Sequence, residues 1–164
     1  MKLKRRFDWR KVLIVGYFVV LAAYLWIGFR PAEAANNYDI AAELSIPSIG
    51  LVSDVTELSV NDGKLDTPDT IVGSYTRAQN KTLLIGHSST VFQNLINVKI
   101  GDEIIYGGES YIVTVERLTV KADVNMSEIL APAEEDTIII MTCDGMMLGG
   151  GDATHRFMVT AVRN

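Results

Sequence analysis

Cysteine and histidine are almost absent from this sequence. Its 164 residues include one cysteine, Cys143, and two histidines, His87 and His155. A single cysteine excludes an intrachain disulfide, so Cys143 is either a free reactive thiol or a link to another molecule. A structural zinc site needs four protein ligands, and these three residues are widely scattered along the chain. The composition therefore argues against a metal centre and directs attention to the thiol.

Basic residues are scarce beyond position 34. Residues 35–164 carry 18 of the 20 acidic residues but only 8 of the 15 basic ones, which gives this part a net charge of −10. Binding to nucleic acid phosphates requires clustered Lys and Arg, and these are lacking, so a nucleic-acid function is excluded. The acidity fits a solvated domain that meets a cationic or zwitterionic partner.

The N-terminus combines a basic cluster with a long apolar run. Residues 1–11 hold six basic side chains against one acid, and residues 12–29 hold no charge at all. As a helix, these 18 residues would span about 27 Å, close to the hydrocarbon core of a bilayer. The preceding basic residues predict a single-pass anchor in the cell membrane, with residues 1–11 in the cytoplasm and the chain after Arg30 outside.

A cleavable signal peptide remains the alternative to this anchor. Its apolar region normally has 7–15 residues, fewer than here, but Ala32-Glu-Ala34 offers an A-x-A cleavage site. Both interpretations export the remainder of the chain. We expect residues 30–39 to be a linker and residues 40–164 to form one folded domain.

Short apolar or alternating segments separated by turn signals fill this domain. Residues 82–86 and 137–142 are apolar runs, as strands buried on both faces are, and residues 111–120 begin with the alternation of a half-buried strand. Asn61-Asp-Gly63 predicts a tight turn. Gly107-Gly108 predicts a second hairpin turn, and Ser127 is the expected cap of a short helix at 127–130. We expect an irregular segment at 64–81 and a loop at 144–153, and otherwise little helix. About eight short strands predict an all-β fold, a closed or nearly closed β-barrel.

Three chemically capable side chains lie in or directly after these predicted strands. Cys143 ends one apolar strand, His87 follows another after a glycine, and Arg156 lies in the last strand. A thiol, an imidazole and a guanidinium can supply a nucleophile, a proton carrier and an oxyanion partner. Individually, each has an ordinary structural explanation as a buried apolar thiol, a structural histidine or a salt-bridged surface arginine. His155, next to Arg156, should point to the opposite face of the strand.

Together the three residues resemble the sortases. The family's nucleophile closes a Thr-Leu-x-Thr-Cys strand, to which Ile139-Ile-Met-Thr-Cys143 is similar except for its first two isoleucines. Gly86-His87 resembles the family's histidine site, and Arg156 the arginine of the strand after the cysteine loop. Leu44-Ser-Ile-Pro-Ser-Ile-Gly-Leu51 is similar to the segment that begins the sortase barrel. The resemblance extends over residues 40–164 and implies a membrane-anchored, single-domain sortase.

This resemblance implies a cysteine transpeptidase. Cys143 would be the nucleophile, His87 the general acid and base, and Arg156 the group that stabilises the oxyanion or orients the substrate. The substrates would be exported proteins with an LPXTG-like C-terminal sorting signal, cleaved through a thioester acyl-enzyme. An amine from a cell-wall precursor or a pilin lysine would resolve the thioester. The segment after the nucleophile resembles the sortase loop that borders the substrate groove.

Four residues are candidates for contact with the substrate: Thr142, Met146, Met147 and Leu148. Thr142 should point away from the face of Cys143, where it could also serve packing or local hydrogen bonding. The sequence is compatible with two other functions, a cysteine hydrolase on the same barrel and a catalytically idle membrane-anchored binding module. No cofactor is expected. Calcium, which some sortases bind, has no recognisable set of acidic ligands in the sequence.

Overall fold

The computed structural model describes residues 38–149 and 152–164. The expected membrane anchor at 12–29 and its flanking segments up to residue 37 lie outside these residues. Among the helices in the described part of the chain, none has the length and apolar character needed to span a membrane.

The described residues are mostly β-strand. A four-residue helix, α1 (Met126–Ile129), and three short 3₁₀ turns interrupt the strands. The strands are β1 (Ile40–Ile46), β2 (Leu51–Glu57), β3 (Val60–Asn61), β4 (Lys64–Leu65), β5 (Val72–Ala78), β6 (Lys81–Ile85), β7 (Glu103–Tyr106), β8 (Glu109–Val120), β9 (Thr137–Gly149) and β10 (Asp152–Arg163).

Eight of these strands form a closed barrel in the order β1-β2-β5-β6-β9-β10-β8-β7, and β1 pairs with β7 to complete it. This confirms the predicted all-β barrel. Six of the eight pairings are antiparallel, whereas β2 with β5 and β6 with β9 are parallel. Parallel strands point their carboxyl ends to one edge of a sheet, so β6 brings the residues that follow it towards the middle of β9.

The barrel interior is filled with side chains, as expected for eight strands. Leu44, Val55, Leu84, Ile140 and Val159 are among the fully buried core residues contributed by different strands. On β9, Ile138 and Ile140 face this core, while Ile139 belongs to a second, smaller cluster on the outer face. Because neighbouring residues alternate between faces, Cys143 shares the outer face with Ile139.

Two turns follow the sequence predictions closely. Asp62 and Gly63 both have positive φ, at 51° and 73°, and connect β3 to β4. Gly107 and Gly108 have φ of 59° and 85° and connect β7 to β8. Positive φ at both central residues is the requirement of the type I′ hairpin turn, which explains the Asp-Gly and Gly-Gly pairs.

Three local predictions are wrong. The segment 64–81 was expected to be irregular, but it contains β4 and the seven-residue barrel strand β5. The expected loop at 144–153 is mostly strand, because β9 continues to Gly149 and β10 begins at Asp152. Asn125 caps α1 in place of Ser127, since its side chain accepts hydrogen bonds from the backbone N–H groups of Ser127 and Glu128.

Candidate active site

The structure brings His87, Cys143 and Arg156 to one cavity of about 300 Å³. Cys143 in β9 is paired with Arg156 in the adjacent β10. His87 follows β6, which runs parallel to β9 with Ile85 opposite Met141. Two residues further along both strands, this register places His87 beside Cys143. The cavity is lined by Leu65, Thr67, Ile85, Gly86, His87, Met141, Thr142, Cys143, Asp152 and Arg156.

The histidine is open to solvent on one side. Its Nε2 atom lies 3.9 Å from a carboxylate oxygen of Asp69, and the Asp69 side chain is 84% exposed. An ion pair this exposed contributes little, because water competes for both groups. The partly buried thiol of Cys143 is the only cysteine sulfur in the chain. An imidazole and a thiol that share a cavity provide the pair needed for nucleophilic catalysis.

Thr142 fixes the base of this site. Its side chain is buried, and its hydroxyl donates a hydrogen bond of 2.8 Å to the backbone carbonyl of Gly86. The bond joins the residue before Cys143 to the residue before His87. It therefore couples the positions of Cys143 and His87 through the backbone.

Gly86 has no room for a side chain. A Cβ atom there would lie 2.6 Å from Cγ1 of Val91 and 2.8 Å from Cδ2 of Phe92. The absence of a side chain lets the segment after His87 fold back against the end of β6, where the backbone N–H of Phe92 donates to the carbonyl of His87.

Gly86→Ala should therefore disturb both stability and the position of His87. We expect a loss of about 1–3 kcal/mol in the free energy of unfolding, the usual cost of overpacking, measured by urea denaturation. Val91→Ala removes one of the two clashing side chains, so the double variant Gly86→Ala/Val91→Ala should lose less stability than the sum of the single changes. Strict additivity would contradict this account.

Arg156 is held by its own strand and by Asp152. Its guanidinium donates to the backbone carbonyls of Ala153 and His155 at 3.0 and 2.9 Å, and to a carboxylate oxygen of Asp152 at 2.7 Å. Its side chain is only 15% exposed. Three hydrogen bonds leave two of the five guanidinium N–H donors for another partner. His155 lies opposite Asp144 in the backbone register of β9 and β10 and is not part of the cavity lining.

Asp152 is a site residue that the sequence analysis missed. Its carboxylate binds both Arg156 and Lys121, the latter from the 3₁₀ turn after β8. Hydrogen bonds from Lys121, Arg156 and the backbone N–H of Ala153 hold the pKa of Asp152 well below its ordinary value. In a regular strand, residues four apart lie about 13 Å from each other. Register shifts after Asp152 and Ala153 bring this carboxylate back to Arg156.

The sequence of the barrel matches a known family. A family model, the Sortase domain, matches residues 44–164. The chain belongs to the sortase family. It is a cysteine transpeptidase, as the resemblance of its Thr-Cys, Gly-His and arginine segments implied. Among curated proteins, none matches this sortase in a sequence comparison.

Solved sortases share the fold. A lid mutant of sortase A from Corynebacterium diphtheriae is 25% identical, with a TM-score of 0.60 over 82% of this chain and 74% of that one. The pilus-related sortase C of Group B Streptococcus is 22% identical, with a TM-score of 0.58 over 76% and 67%. A Clostridium perfringens sortase D5 transpeptidase is 21% identical, with a TM-score of 0.59 over 77% and 79%.

The four candidate substrate-contact residues differ in their exposure to solvent. Met146, Met147 and Leu148 lie beyond the cysteine on β9, and all three are largely exposed. Thr142 lies beneath the cavity with its hydroxyl occupied by Gly86. Within the described residues of this sortase, no group of three or more His, Cys, Asp or Glu side chains could hold a metal ion.

Asp152→Asn tests how Arg156 is positioned. Asparagine keeps an acceptor for Arg156 but loses the charge that both cations share, so we expect the transpeptidation kcat to fall about three- to tenfold at neutral pH. Lys121→Met, which leaves the Arg156 pair intact, should reduce kcat less. Equal losses in the two variants would show that the bridge to Lys121, and not Arg156, determines the effect.

The interaction of Asp152 with Arg156 and Lys121 also makes the stability of the fold depend on pH. Because the pKa of Asp152 is lowered on folding, its contribution to stability is complete above the unfolded value of about 3.9 and is lost as the pH falls through the lowered folded value. Wild type should therefore lose more stability than Asp152→Asn when thermal unfolding is compared at pH 6 and pH 3.

Proposed function

We propose that this sortase cleaves exported proteins at an LPXTG-like sorting signal and joins them to an amine through a thioester on Cys143. The observation that carries the proposal is the shared cavity of Cys143, His87 and Arg156. The acceptor would be an amine of a cell-wall precursor or a pilin lysine. One structural neighbour is a pilus-related sortase C, which is compatible with the second acceptor.

The proposed first step is acylation. Cysteine attacks as the thiolate, so His87 takes the thiol proton of Cys143, and the sulfur adds to the carbonyl carbon after the threonine of the signal. The two N–H donors of Arg156 that have no partner among the described residues stabilise the resulting oxyanion. The C–N bond then breaks, and His87 returns the proton to the leaving amine.

Apolar contacts would select the signal. Leu65, Ile85 and Met141 provide apolar walls near the cysteine, and the exposed side chains of Met146, Met147 and Leu148 extend beyond it on β9. We assign the leucine and proline of the signal to these surfaces, where their burial is favourable. Thr142 would contribute to the cavity wall while its hydroxyl positions Gly86.

The place of action follows from the N-terminal residues. We propose that residues 12–29 anchor this sortase in the cell membrane, with residues 1–11 cytoplasmic and the barrel outside. An enzyme held there would meet substrates that are themselves tethered to the membrane during export. Protease added to intact cells should then digest the barrel, and digestion that requires lysis would contradict this location.

Product analysis tests the reaction. The full-length chain is incubated with LPXTG-type peptides, with and without glycinamide, and the products are identified by mass. A peptide cleaved after threonine and joined to glycinamide supports the transpeptidase. Cleavage with water alone as acceptor, unaffected by glycinamide, would show the hydrolase. No product from any variant signal would contradict the proposal.

A further inference from the structure

A second cavity, of about 230 Å³, also has Cys143 in its wall. The two cavities share only Thr142 and Cys143. The second one is lined by Ser88, Phe92, Gln93, Ile96, Thr142, Cys143, Asp144 and Phe157. Two openings onto one nucleophile suit a reaction in which two substrates must reach the same sulfur-bound carbonyl.

The second cavity presents polar groups that the protein itself does not use. Among the described residues, the side chains of Ser88, Gln93 and Asp144 form no hydrogen bond or ion pair. Asp144 is partly buried and directly follows the nucleophile. Its carboxylate lines the cavity with no cation paired to it among the described residues, so it can pair with a positively charged ligand.

We propose that this second cavity binds the amine acceptor and that Asp144 pairs with its ammonium group. This inference rests on the proposed transpeptidation. The acceptor class is a primary amine whose carrier has no negative charge close to the nitrogen, because a carboxylate there would be repelled by Asp144. The polar groups of Ser88 and Gln93 can hydrogen-bond the neighbouring amide of such an acceptor.

The chemistry balances with the residues present. The bound ammonium releases one proton to solvent, and the free amine adds to the carbonyl carbon of the thioester. As the C–N bond forms, the nitrogen gives a second proton to His87, the C–S bond breaks, and the electron pair returns to the sulfur of Cys143. His87 passes its proton to this thiolate, and no oxidant, reductant or further reactant is needed.

The preference between two amine acceptors distinguishes a role of Asp144 in acceptor binding from a purely structural role. Full-length wild type and Asp144→Asn are acylated with the same signal peptide, and deacylation is followed at increasing concentrations of glycinamide or glycine. The two acceptors differ by the free carboxylate of glycine. The ratio of the deacylation rates with glycinamide and with glycine is compared between the two proteins. The different basicities of the two amines affect both proteins equally and therefore cancel.

Wild type should prefer glycinamide, and Asp144→Asn should raise the KM for glycinamide about five- to tenfold while reducing that preference. The acylation rate should not fall, since the signal occupies the first cavity. Asp123→Asn is the matched control, because it removes the same charge from the 3₁₀ turn that follows β8.

The alternative results overturn the inference in distinct ways. If the thioester forms but Asp144→Asn leaves the KM and the preference unchanged, the acceptor binds elsewhere and the proposed function stands. If Asp123→Asn changes the KM and the acceptor preference as much as Asp144→Asn does, the effect comes from the net charge of the protein and not from Asp144. Absence of any thioester in wild type would overturn both the proposed function and the acceptor site.

Discussion

Cys143→Ala is expected to abolish transpeptidation. Removal of a catalytic nucleophile costs about six orders of magnitude in related hydrolytic chemistry, which places the variant below detection. No other residue can replace it, because the chain contains no second cysteine. The measurement is the rate of peptide–glycinamide product formation by the full-length protein.

The control for Cys143→Ala is a measurement of its thermal unfolding, which shows whether the variant is folded. Cys143 is only partly buried and forms no disulfide, so Cys143→Ala should unfold within a few degrees of wild type. Cys143→Ser keeps the size of the side chain but replaces the thiol with a much weaker nucleophile, and it should be nearly as inactive. Substantial activity in either folded variant would remove Cys143 from the mechanism.

His87→Ala should have the second-largest effect, a loss of about 10²- to 10⁴-fold in kcat. In the proposed mechanism the imidazole both activates the sulfur and protonates the leaving amine, so acylation should slow even when the peptide is saturating. Rapid-quench measurement of thioester formation gives the acylation rate directly, separate from deacylation by the amine.

Asp69→Asn shows whether the histidine needs a carboxylate partner. Asp69 is 3.9 Å from Nε2 and highly exposed, so its removal should change kcat by no more than about fivefold. A loss as large as that of His87→Ala would contradict a site of Cys143, His87 and Arg156 and would make Asp69 an essential orienting group.

Much of the barrel could be predicted because local chemistry determines it. The Asp62-Gly63 and Gly107-Gly108 turns require positive φ, which few other residue pairs tolerate, so the sequence identifies both hairpins. β5 was missed because Thr76 and Arg77 are polar and exposed, while only Val72, Gly73 and Ser74 are buried. Its strand conformation depends on pairing with β2 and β6, and the local sequence pattern of β5 does not reveal this pairing.

The sequence could indicate the three candidate residues but not the hydrogen bonds that hold them in place. Strand ends and spacing indicated Cys143, His87 and Arg156, and the structure places them around one cavity. Asp152 could not be found in this way, because it reaches Arg156 only through the irregular register between β9 and β10. The contact of Thr142 with Gly86 likewise depends on the parallel pairing of β6 and β9.

The most direct test of this account is to locate the thioester. The full-length protein is mixed with an LPXTG-type peptide, quenched in acid, digested and mapped by mass spectrometry. The account predicts an acyl group of the mass of the signal up to its threonine, on the fragment that contains Cys143 and removable by hydroxylamine. An acyl group on another residue, or product formation without any acyl-enzyme, would contradict it.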